Sequence, residues 1–309
     1  MFEAKSDITS LDRGSKFYED QLRTEIFKMR IRKDALTKFS VEESGSMEIP
    51  DGVLADDPLP EAPAELIPGV LLAHGCTGIV GCKETGKSLI SLEIQHSLLT
   101  GEPLWGSIVP NTVINKSVHL LAEHASPILM QLYQRTGLSK TGKANLRIFG
   151  PEHLAAMKLL VSNGIRREEA VSFYKKIVDG AGLVVFDPLS AYIQGLAAEN
   201  DNAPMRTLID AMIEIAQSTG AACLVLAHQG KPTFFQGKMM KRSSYATRGA
   251  SSSEDAMSGV HYLDREAGVS IDGKPVFELK PVHWKGWKQK PFLLLRDTKT
   301  MRHTLKSGG

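Results

Sequence analysis

The chain has 309 residues, 42% of them hydrophobic and 23% charged, and a formal net charge of +2 at pH 7. These are the proportions of a globular protein rather than a disordered or fibrous one, and so small a net charge excludes a polycation, so any nucleic-acid contact must be a local patch. Three cysteines (Cys76, Cys82 and Cys223) form no C-x-x-C pair and fall in or just after apolar runs, which predicts reduced residues of a cytoplasmic protein. No apolar run approaches the ~18 residues of a membrane span, and the first residues lack a signal-peptide core. No membrane association is expected.

In chain order, residues 1–40 read as a helical arm, mixed in charge, with Phe17, Leu22, Ile26, Phe27, Met29, Leu36 and Phe39 in an imperfect apolar stripe. Periodicity alone fits both an arm packed on its own domain and one docked on a neighbouring subunit. Residues 41–65 turn acidic and proline-rich, the composition of an extended linker. From 66 to 309 the pattern predicts a domain. Apolar strands are expected at 77–80, 117–122, 146–149, 183–186 and 222–227, and helices at 87–100, 128–135, 168–178 and 203–218. Strands apolar throughout and separated by helices imply an α/β fold with a mostly parallel central sheet flanked by helices. Shorter strands at 260–263, 269–271, 276–279 and 291–295, with an Asp272-Gly273 turn, suggest a C-terminal antiparallel extension.

The first helix is preceded by Gly81-Cys82-Lys83-Glu84-Thr85-Gly86-Lys87-Ser88, which fills every fixed position of G-x-x-x-x-G-K-[ST]. Between a strand and a helix N-terminus, such a loop turns its N–H groups onto phosphate oxygens, and the helix dipole adds to them. Lys87 supplies charge at the β/γ-phosphates of ATP, and Ser88 offers a hydroxyl to Mg²⁺. In open α/β sheets, ligands sit at the carboxyl ends of the strands. There Asp187 follows 183–186 and suits the Mg²⁺ shell that Ser88 begins. Glu123 follows 117–122 and suits either a water-orienting carboxylate or a solvated surface residue. His228 and Gln229 follow 222–227 and suit either sensing of the γ-phosphate or the mouth of a surface loop. The next stretch carries Lys231, Lys238, Lys241, Arg242 and Arg248 with Phe234, Phe235 and Tyr245 between them and no acidic residue. Stacking rings among cations are the ingredients of a single-stranded DNA site.

Together, the loop at 81–88, Leu121-Ala122-Glu123, residues 183–190, Leu226-Ala227-His228-Gln229 and Arg248-Gly249-Ala250-Ser251 resemble the RecA-like hexameric helicase ATPases of the plasmid RepA type, over about 66 to the C-terminus. The resemblance implies a RecA-like P-loop NTPase fold and a homo-hexameric ring translocating on single-stranded DNA in replication of a plasmid, phage or related element. It implies catalysis by Glu123, a metal role for Asp187, coupling through His228, a DNA loop before Arg248, and Lys280 facing the neighbour's nucleotide. Three positions depart from the family: His124 follows Glu123, Ser258 stands where an arginine finger is common, and His283-Trp284 replaces an Asn-Tyr pair. Those departures keep open an alternative, a slowly hydrolysing nucleotide-dependent DNA-binding switch or assembly scaffold that unwinds nothing.

Overall fold

The computed structural model describes residues 64–123, 125–138, 145–153, 159–163, 165–194, 202–229, 234–235, 238–239, 251–284 and 290–306. All belong to the unit Glu61–Gly309. The expected arm (1–40) and all but the last two residues of the expected linker (41–65) lie outside them.

Nine strands form the main sheet: β1 (Cys76–Gly81), β2 (Ser117–Leu121), β3 (Leu146–Phe149), β4 (Leu183–Asp187), β5 (Ala222–His228), β6 (Gly259–Ile271), β7 (Lys274–Trp284), β8 (Phe292–Arg296) and β9 (His303–Leu305). The helices are α1 (Lys87–Thr100), α2 (Ser126–Arg135), α3 (Glu168–Val178), α4 (Asn202–Gln217) and α5 (Ser251–Ala256). The sheet order is β9-β8-β7-β6-β1-β5-β4-β2-β3. Pairing is parallel from β6 to β3 and antiparallel from β6 to β9. The fold is therefore mixed α/β with a large central sheet, and the antiparallel extension lies where the sequence suggests it.

The strands explain the two larger cores. Successive side chains of a strand point to opposite faces, and in β4 Leu183 and Val185 join one cluster while Val184 and Phe186 join the other. The first face is covered by α1 through Ile90, Ile94 and Leu98. The second is covered by α3 and α4 through Val171, Tyr174, Leu208 and Met212. With helices on both faces, the strands need no polar side, which is why they read as continuous apolar runs. Twelve of the 14 residues of α1 are buried, polar ones included. Among them, the Glu93 carboxylate accepts hydrogen bonds from the His303 backbone N–H (2.7 Å), His303 Nδ1 (2.9 Å) and Trp105 Nε1 (3.0 Å), which ties β9 to α1.

The C-terminal hairpin departs from the expected short strands. Segments 260–263 and 269–271 belong to one strand of 13 residues, with a register shift between Arg265 and Ser270. Arg265, Glu266, Gly268, Val269 and Ser270 are exposed, so no buried face imposes alternation on them. Asp272 and Gly273 turn the hairpin with φ of 52° and 73°, the left-handed pair that a two-residue turn of this hand requires. Small pairings that the sequence does not announce also occur, Glu65–Ile67 with Leu71–Leu72 and Val161–Ser162 with Ile165–Arg166 and Ile193–Gln194.

At the edge of the first core, His261 is fully buried, with Nε2 3.2 Å from the Val70 carbonyl and its ring 4.9 Å from that of Trp284. Burial lowers its pKa from 6.5 to about 4, against the pull of the Val70 carbonyl. The unfolded chain thus binds a proton between pH 6.5 and 4 that the folded chain refuses, and this contribution to stability is lost as pH falls through that window. Urea unfolding at pH 7 and pH 4.5 should show His261→Phe losing about 2–3 kcal/mol less than the unsubstituted protein over that interval.

Candidate active site

The carboxyl ends of the four central parallel strands come to one edge of the sheet. Register places His228 opposite Gly81 and Leu121 opposite Asp187. Pairing continues one residue past β2, where the Ala122 N–H donates to the Asp187 carbonyl at 2.7 Å, and Glu123 follows at once. A cavity of about 470 Å³ opens at this edge, within the size range of small-ligand sites. Its lining includes Lys83, Glu84, Gly86, Lys87 and Ser88 from the glycine loop, with Glu123, Asp187 and His228 from the strand ends.

The loop is shaped by close contacts. A Cβ on Gly81 would lie 2.7 Å from the Leu263 carbonyl oxygen, and Gly86 has φ 98°, a conformation that side chains oppose. Thr85 Oγ1 donates to the Cys82 carbonyl at 2.9 Å, closing the turn from behind. Lys87 is buried, and its ammonium donates to the carbonyls of Gly81 (2.9 Å) and Cys82 (2.8 Å) and approaches His228 Nδ1 (3.4 Å). Burial lowers its pKa, with Asp187 and Glu123 pulling the other way.

Ser88 Oγ donates to Asp187 Oδ2 at 2.7 Å. Burial alone would raise the Asp187 pKa. Hydrogen bonds from His119 and Ser88 and the charge of Lys87 outweigh it and hold the carboxyl below its ordinary value. An ionised carboxylate beside a hydroxyl oxygen is a hard oxygen pair, and it fits a Mg²⁺ that takes its remaining ligands from phosphate and water. Glu123 Oε2 lies 3.6 Å from His228 Nε2 at the mouth of the cavity. The imidazole pKa is lowered by burial and by Lys87, against the attraction of Glu123. With Lys87 donating to Nδ1, the ring proton of neutral His228 sits on Nε2, facing Glu123.

The structure thus brings together Lys87, Ser88, Glu123, Asp187 and His228. Gln229 is close by but does not line the cavity: its N–H donates to the Gly81 carbonyl (3.0 Å) and its Oε1 accepts from Cys82 Sγ (3.3 Å), bracing the loop from β5. Lys280 is exposed on β7 and likewise does not line the cavity. Ser258 donates from its backbone to the Cys76 carbonyl, at the end of β1 away from Gly81. Trp284 is a packing residue that donates to Glu65 Oε1 at 3.0 Å. In the basic segment, Phe234–Phe235 pairs with Lys238–Met239 as two short antiparallel strands. Lys231, Lys241, Arg242, Arg248 and His124, and the side chains of Phe234, Phe235 and Lys238, lie outside the described residues.

Two features were not legible as site residues. Arg296 and Met301, more than 200 positions after the loop, line its cavity, and the Arg296 guanidinium lies 4.4 Å over the Phe277 ring. His119 contacts Asp187 from within β2, and its only trace in the sequence is a polar residue in an apolar strand.

The sequence model of the AAA domain family matches residues 45–233, well over half of the chain. The chain belongs to this family. No curated protein matches it. Lys87, Ser88, Glu123, Asp187, His228 and Gln229 fall inside the matched stretch of this AAA domain, whereas Lys280, Arg296 and Met301 fall beyond it. AAA domains are P-loop ATPases, so nucleotide binding is the first property to measure. Charge-assisted hydrogen bonds contribute about 1.5–3 kcal/mol each. A Lys87→Ala variant should therefore bind a fluorescent ATP analogue roughly 10–100-fold more weakly while its far-ultraviolet circular dichroism stays that of the parent.

Proposed function

We propose that this AAA domain is a RecA-like, Mg²⁺-dependent ATPase that assembles as a hexameric ring and moves on single-stranded DNA, as a replication helicase of a plasmid, phage or related element. The observation that carries the reading is Glu123 facing His228 at 3.6 Å across the mouth of a cavity that Lys87 lines, His228 being itself 3.4 Å from Lys87. A carboxylate there stands where a water must be aimed at a terminal phosphate, and an imidazole touching both it and the loop lysine can register that phosphate.

In this mechanism the loop amides and Lys87 bind the triphosphate and take up the charge that develops on it. Ser88 and Asp187 would hold a Mg²⁺, which would supply charge neutralisation at the phosphate oxygens. Glu123 orients the attacking water and accepts its proton. A nucleotide phosphate competes with His228 for the Lys87 ammonium, so binding and loss of the γ-phosphate change the partners of His228. β5 ends at His228, and the chain runs on into the basic segment 231–248 that supplies the DNA contacts. Lys280, exposed and outside its own cavity, is available to a neighbouring subunit's nucleotide, as is Arg248 of the same segment in this reading.

Phosphate release measured with and without single-stranded DNA tests the proposal. The unsubstituted protein should be stimulated by about tenfold or more, and Glu123→Gln should lower the stimulated rate by roughly 10²–10⁴. A rate indifferent to DNA would replace the motor with the nucleotide-dependent switch.

A further inference from the structure

The polar residues behind Asp187 form a column between β2 and α1. Ser117, His119 and Gln95 are all fully buried. Register sets Ser117 opposite Leu183, His119 opposite Val185 and Leu121 opposite Asp187, so with a period of two the side chains of 117, 119, 183, 185 and 187 share the face that α1 covers. Leu183 and Val185 pack on this face with Ile90, Ile94 and Leu98. Buried polar side chains are costly unless paired, and each member of the column is paired.

The pairing has a direction. Ser117 Oγ donates to Gln95 Oε1 at 3.0 Å. Gln95 Nε2 donates to the Ser91 carbonyl at 3.0 Å, which fixes the amide with its nitrogen toward His119, 3.0 Å from Nδ1. Nδ1 therefore accepts, the ring proton sits on Nε2, and Nε2 lies 3.3 Å from Asp187 Oδ2. That is the same oxygen that accepts from Ser88. A neutral donor in this place orients the carboxylate without neutralising it, leaving its charge available to a cation.

We propose that His119, set in its tautomer by Gln95, is a positioning residue that holds the Asp187 carboxylate in place for the divalent cation of a bound nucleotide. The inference rests on the nucleotide reading above and adds to it a role for residues that neither touch the cavity nor belong to its motifs. Partners behind a metal ligand typically change metal affinity by about 10–100-fold when removed.

The test is the affinity of the full chain for Mn²⁺ at saturating ADP, followed by the electron paramagnetic resonance of free Mn²⁺, beside the affinity for fluorescent ADP in EDTA. His119→Phe keeps a planar ring and removes the donor. It should lower Mn²⁺ affinity about 10–100-fold and leave metal-free ADP affinity within about twofold. His119→Gln restores a donor near Nε2 and should recover most of the loss, whereas a mere packing role predicts the reverse order, with Phe the better substitute. Should His119→Phe fail to fold, Gln95→Met removes the tautomer-setting amide at similar volume and should show a smaller loss of the same kind. Mn²⁺ affinity unchanged in the folded variants, or Phe outperforming Gln, overturns the inference while leaving the nucleotide reading intact. Parent protein that binds neither fluorescent ADP nor Mn²⁺ with ADP overturns both.

Discussion

A buried ammonium organises this molecule. Lys87 sits at the first position of α1, inside the sheet edge, and its donors reach two carbonyls of its own loop and one imidazole nitrogen. An unpaired charge at that depth would be prohibitive. The loop must therefore curl around the ammonium, and the strand ends must bring Asp187, Glu123 and His228 near enough to balance it. An anion such as phosphate improves on this arrangement, because it exchanges neutral carbonyl and imidazole acceptors for a negative charge. The folded loop is thus already shaped around the charge it would use.

The same constraint explains why the parallel part of the sheet is polar at one edge and mostly apolar elsewhere. Helices on both faces leave the strands no solvent to face, and polar groups concentrate where the chain leaves the sheet. Two of the exceptions are informative. Glu93 takes three donors and ties the last strand to α1. The Ser117–Gln95–His119 column leads to Asp187. One exception docks the C-terminal extension, which also brings Arg296 and Met301 to the cavity, and the other backs the carboxylate.

Much of this was legible because it is local. The loop at 81–88, helix 87–100 with Gly101 at its end, helix 168–178 and strand 146–149 emerge with the boundaries the pattern predicts. Strands 183–186 and 222–227 each run one residue further, into Asp187 and His228, because register with the neighbouring strand extends to those residues. The long β6–β7 hairpin was read as fragments, since its exposed half carries no periodicity. Gln229 was read with His228 as a pair, and of the two only His228 lines the cavity, because Gln229 follows the last residue of β5 and its side chain is engaged by Cys82.

The sequence by itself determined the anion-binding loop, the alternation of buried strand and helix, and the carboxylates at the strand ends, all of which depend on spacing along the chain and on burial on both faces. Only the tertiary structure decided that Glu123 meets His228, that His119 backs Asp187, and that the C-terminal strands complete the cavity. Those relations join residues as much as two hundred positions apart and more through sheet order and register, and hydrophobic periodicity carries no record of which strands become neighbours.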